Sequence, residues 1–127
     1  SYIAERPIRC ADLPIGYADG LVRLLSNRGW AVVGGAVCPI RGRICMDQTV
    51  IEVEAAPDVA EGDEAVLLSD GRDGAMTADQ AAALAGTINY EIVSSLAARI
   101  PRVYLRGGRP VAVLDLLGLV EDPSAAC

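Results

Sequence analysis

The chain contains no lysine, no histidine and no phenylalanine, and each absence excludes something. Without histidine, the commonest general base and metal ligand is missing. Without lysine, no side-chain amine can form a Schiff base. All eleven cations are therefore arginines. With no phenylalanine and one tryptophan, yet 52% apolar residues, the core has to be aliphatic. No window approaches the roughly 18 unbroken apolar residues that span a bilayer. Glu5, Arg6 and Arg9 interrupt any signal-peptide pattern, so a soluble, cytoplasmic protein with no membrane partner is expected. A net charge of −6 argues against nucleic acid as a partner. Cys10, Cys38, Cys45 and Cys127 form no C-x-x-C pair and no zinc-ribbon spacing. Buried free thiols are the expectation, and no metal site is read.

The 127 residues present correspond to one domain on size, and their pattern is mainly strand-like. Arg6–Ile15 alternates loosely between prolines and suggests an edge strand. Leu21–Leu25 has the apolar spacing of a short helix ending near Asn27–Gly29. Trp30–Val33 and Ala36–Cys38 flank Gly34-Gly35, a two-residue hairpin signal. Thr49–Glu54 and Glu64–Leu68 read as further strands, and Ser69–Gly74 as a polar, mobile loop. Thr77-Ala78-Asp79-Gln80 is a capping box opening a helix that stops at Gly86. A second helix is expected over Asn89–Arg99, broken by Pro101. A second hairpin, Arg102–Leu105 with Pro110–Leu114, turns at Gly107-Gly108, and the tail 121–127 is expected to fray. The fold class is thus mainly β: a barrel-like or curled antiparallel domain with a few short helices.

One stretch is too rich in chemistry to be a turn. Gly42-Arg43-Ile44-Cys45-Met46-Asp47-Gln48 places a cation, a thiol, a thioether, a carboxylate and an amide between two strand-like runs. Tyr17 lies between glycines, and Tyr90 stands at a helix start where backbone N–H groups favour an anion. Arg23, Arg41 and Arg43 can hold a carboxylate or phosphate bidentately. On the residues alone these are polar groups without an assembled site.

Four blocks nevertheless stand in a familiar order. Pro14–Gly20 (PIGYADG), Gly42–Gln48 (GRICMDQ), Gly86–Glu91 (GTINYE) and Arg99–Tyr104 (RIPRVY) resemble motifs of bacterial alanine racemases, over about residues 2 to 106. The resemblance is to the C-terminal β-domain of that family, here 1–120. In such enzymes an N-terminal (β/α)₈ barrel, absent from this chain, holds pyridoxal 5'-phosphate on a lysine, and a homodimer builds each site from both subunits. It implies that Met46, through its backbone N–H, binds the carboxylate of alanine, with Asp47 and Tyr17 beside it. It further implies that Tyr90 lies near the cofactor phosphate, and that Arg23, Arg43 and Ile88 line an entrance corridor.

The chemistry implied is two-base α-proton exchange between L- and D-alanine, for which the resemblance implies no catalytic residue in this chain. Aligned without a gap, Tyr2 falls four residues after the family's catalytic tyrosine, which then lies upstream of Ser1. A rival alignment makes Tyr2 that tyrosine, at the cost of a four-residue deletion. Two other readings stay open: a non-catalytic binding or dimerisation module, and a racemase for serine or of broad specificity.

Overall fold

The computed structural model describes residues 2–121 and divides the chain into two compact units, Ser1–Ser95 and Leu96–Cys127. In the first unit, β1 (Cys10–Leu13) pairs antiparallel with β4 (Thr49–Glu52), Cys10 opposite Glu52. A second sheet orders β3 (Ala36–Pro39), β2 (Trp30–Val33) and β5 (Ala65–Val66), all antiparallel. The β2–β3 turn puts Gly34 and Gly35 at φ of 57° and 79°. Both values lie in the left-handed region that a tight hairpin needs, which is why two glycines stand there. An isolated bridge between Ile40 and Ile51 joins the end of β3 to β4.

Helix α1 (Ala78–Ala85) starts as the sequence predicts. Thr77 Oγ1 accepts from Gln80 N at 3.1 Å, and Gln80 Oε1 accepts from Thr77 N at 2.9 Å. Ala81, Ala82 and Ala85 are its buried face, so the helix backbone can approach the core closely. Helix α2 (Asn89–Ser94) follows after Gly86. The core is aliphatic, gathering Leu21, Leu25, Ile40, Ile44, Ile51 and Ile92 with Met76 and Cys38.

The second unit is a meander, β6 (Arg102–Arg106), β7 (Arg109–Asp115) and β8 (Gly118–Glu121), with Val103, Val113 and Val120 opposite one another. No helix among the described residues is long and apolar enough to cross a membrane.

Several expectations change. Among the described residues the strands form three separate sheets, so the curled antiparallel reading holds and a closed β-barrel does not. Leu21–Leu25 is not an α-helix: two single 3-10 turns, Tyr17–Asp19 and Arg23–Leu25, take its place. The helix expected to reach Arg99 stops at Ser94. Arg102 takes the carbonyls beyond it, with Nη1 2.7 Å from both Ala97 O and Ile100 O and Nη2 3.0 Å from Leu96 O. Glu64–Leu68 shortens to two residues, while Leu68 bridges Met76 in parallel. Strand β8 is an addition, and most of the tail expected to fray, 122–127, lies outside the described residues. The three described cysteines are free, but only Cys38 is buried; Cys10 and Cys45 are exposed. Burial pushes the Cys38 thiol up from its ordinary range.

Ile51 is fully buried where β4 meets β1 and Ile40. Ile51→Ala is expected to destabilise the first unit by about 2–5 kcal/mol, read from the midpoint of urea unfolding.

Candidate functional site

The site is built on a backbone contact between the 14–20 and 42–48 segments. Tyr17 N donates to Cys45 O at 3.0 Å, and Ala18 N donates to Met46 O at 2.8 Å. Gly16 makes this approach possible, since a Cβ there would lie 2.3 Å from Cys45 O and 2.5 Å from the Met46 carbonyl carbon. The turn that follows Gly16 is closed by Asp19, which is buried and accepts from Gly16 N at 2.8 Å. The 42–48 loop is held from below as well. Ile44 is buried, and its N–H donates to Ser26 Oγ at 3.0 Å. Gly42 N donates to Asn27 Oδ1 at 2.6 Å, with Asn27 itself at φ 59°. Cys45 N donates to Gln48 O at 2.9 Å, and Thr49 Oγ1 donates to Ile15 O at 2.7 Å.

These bonds fix which way the loop's peptides face. A trans peptide directs its N–H opposite its C=O, and the described chain has no cis bond. Cys45 C=O shares a peptide with Met46 N–H, and Met46 C=O shares one with Asp47 N–H. Both carbonyls point at segment 16–18, so both N–H groups point away from it. Neither finds an acceptor among the described residues. Met46 is 57% exposed and Asp47 is exposed, so the two donors sit on an accessible edge. Consecutive free amides of this kind suit an anion with two oxygens.

The other sequence-predicted residues belong to the same compact unit. Tyr17, 43% exposed, is carried next to Met46 by the backbone ladder. Arg23, in the 3-10 turn Arg23–Leu25, and Arg43 are both exposed, and neither forms an ion pair with another described residue. Ile88 and Tyr90 are exposed at the start of α2. The opposite end of α2 is tied to the 14–20 segment, where Ser95 Oγ lies 3.2 Å from Gly20 O. No hydrogen bond joins Ile88 or Tyr90 directly to 42–48. Tyr2 is 37% exposed and lies under the Arg41 guanidinium. Ser26 and Asn27 escaped the sequence reading, although Ser-Asn after an apolar run is the kind of pair that bonds to a neighbouring backbone. No three described His, Cys, Asp or Glu residues are arranged to hold a metal.

A mainly-β domain presenting a donor edge from two clasped loops is the class of protein this describes. Its sequence matches the family profile "Alanine racemase, C-terminal domain" over residues 1–104, and the chain belongs to that family. It is similar to alanine racemase 1 of Clostridium acetobutylicum, with 43% identity over 109 residues, covering 86% of this chain and 28% of that protein. Among solved structures it resembles alanine racemase from Bacillus anthracis with bound L-Ala-P, at TM-score 0.76 and 37% identity, covering 85% and 27% of the two chains. Alanine racemase from Bartonella henselae with covalently bound pyridoxal phosphate is similar at TM-score 0.73 and 33% identity, covering 83% and 28%. The chain thus spans little more than a quarter of the length of these relatives.

Gly16→Ala is expected to force the two loops apart, at a cost on the order of 2 kcal/mol, together with faster hydrogen exchange at Tyr17 and Ala18 N–H. Gly42→Ala is the control: a Cβ there meets open space at φ 79°, leaving backbone strain of about 1 kcal/mol and intact Tyr17 protection.

Proposed function

We propose that this chain forms the β-domain side of an alanine racemase site, offering the Met46 and Asp47 amides to the carboxylate of alanine. The observation that carries this is the locked peptide pair, with carbonyls held by Tyr17 and Ala18 and N–H groups left free. A carboxylate so held has its orientation fixed, since each amide contributes a directional, charge-assisted bond. Tyr17 stands at the same edge, with its phenol accessible. Arg23 and Arg43, with Ile88, would form the entrance corridor, whose cations draw a small zwitterion by its carboxylate.

Pyridoxal phosphate, when bound, supplies the electron sink that makes an α-proton exchangeable. This chain fits that cofactor as a neighbour rather than as its covalent holder. It has no lysine, while the exposed Tyr90 can reach a phosphate from outside. Attachment of the cofactor and the proton transfer of its lysine would therefore fall to a (β/α)₈ barrel portion of a longer protein, and the second proton-transfer group, a tyrosine, to the segment joining that barrel to this domain, with the site completed across a homodimer in the cytoplasm.

Two measurements test this. Mixed with pyridoxal phosphate and borohydride, the chain alone should retain no covalently fixed cofactor; stable fixation would contradict the neighbour role. Combined with a separately expressed barrel portion that carries the lysine and the joining segment with its tyrosine, it should support exchange between L- and D-alanine. Met46→Pro, which deletes one N–H, is expected to lower kcat/KM about 10- to 100-fold, the usual worth of a hydrogen bond to a charged group. Met46→Leu, which keeps that N–H, should stay near the parent. Equal exchange with and without the chain would remove it from the site.

A further inference from the structure

We infer that Arg41 is the positioning residue of the Met46–Asp47 donor edge, a role that rests on the reading above for its catalytic consequence. Arg41 stands where the chain leaves the Ile40–Ile51 bridge and enters the 42–48 loop. Its backbone N–H donates to Val50 O at 2.9 Å, closing the neck of that loop. Its Nε donates to Glu52 Oε2 at 2.7 Å, on the strand by which the chain leaves the loop. Its guanidinium carbon lies 4.8 Å from the centroid of the Tyr2 ring.

Arg41 therefore reaches two segments distant from each other in sequence: its side chain joins the stretch at Tyr2 to β4, and its backbone bonds the same strand across the loop neck. The ion pair is partly sheltered, with the Arg41 and Glu52 side chains 30% and 14% exposed. Such a pair holds its geometry better than a solvated surface pair. A planar guanidinium can present an edge to a carboxylate and a face to a ring at once, which an ammonium cannot. The neck carries the Cys45–Gln48 turn, which holds the Met46 peptide in place against segment 16–18. Release of the neck lets the two amides lose their common direction.

Amide hydrogen exchange on the labelled chain tests this directly. Arg41→Met is expected to speed exchange at Cys45 N–H about tenfold while the β2 amides paired to β3 stay protected. Arg41→Lys should fall between Arg41→Met and the parent, and Tyr2→Leu should reproduce part of the effect. Unchanged exchange at Cys45, or equal acceleration at Cys45 and in β2, would overturn the inference, the latter because it reports general loss of stability. Should Arg41→Met fail to fold, Arg41→Lys and Tyr2→Leu decide by the same comparison. In the barrel-complemented enzyme, Arg41→Lys should raise KM for alanine several-fold with kcat within about twofold. Local exchange at Cys45 together with an unmoved KM would uphold the clamp and refute the carboxylate role of the edge it holds.

Discussion

Everything in the candidate site depends on one backbone contact, the pair of hydrogen bonds from Tyr17 N and Ala18 N to Cys45 O and Met46 O. It requires a residue without a side chain at Gly16, where the two main chains approach too closely for any Cβ. The φ of Gly16 is −151°, extended backbone that any residue adopts. Space, and not conformational freedom, is what the glycine provides here. The contact aims the loop's remaining donors by elimination. Once both carbonyls are turned inward, peptide planarity directs the N–H groups outward.

The supports around this contact share a logic. Ser26 and Asn27, just after the second 3-10 turn, each accept one N–H from the loop, at Ile44 and Gly42. Ile44 is itself buried at the first of these bonds, so the loop's first half is anchored by one apolar residue and two polar ones. Met46, two residues further on, is exposed as a consequence. The anchoring is not symmetric: the loop's inner half lies on the core, and its outer half has only segment 16–18 behind it. A binding edge needs this division, because a loop buried at both ends would have no free amides to present.

The local elements were the most legible part of the sequence. The capping box at Thr77 and both glycine-pair turns are set by nearest neighbours, and they form as expected. What failed was wherever a distant group decided the outcome. The apolar spacing of Leu21–Leu25 suits a helix, yet the hydrogen bonds between segments 14–20 and 42–48 fix the preceding backbone in a tight turn. Arg102 is close in sequence, yet its side chain folds back past the proline expected to stop α2 and captures carbonyls that would have extended it, which backbone patterning does not reveal. Cys10 and Cys45 were expected inside because free thiols usually are, but one sits on an exposed strand position and the other on the loop's outer half. The motifs pointed to the candidate site, whereas its geometry came from Gly16, Ser26, Asn27 and Arg41, whose roles depend on residues 11 to 39 positions away.

Magnitudes also explain why, in the proposed reading, such an edge has to be one side of a larger site. A net hydrogen bond in water contributes only about 0.5–1.5 kcal/mol, rising to about twice that when one partner is charged. Two exposed amides therefore provide at most a few kcal/mol toward a small amino acid. Immobilising that ligand costs on the order of 4 kcal/mol or more. On the open surface the balance is near zero, and water competes for both donors. Covering the edge with a second, drier surface changes the outcome, because the same amides then act in a medium of lower dielectric. Affinity and chemistry would thus arise together, when the edge bearing Tyr17 and Met46 is covered by the portion that carries the cofactor.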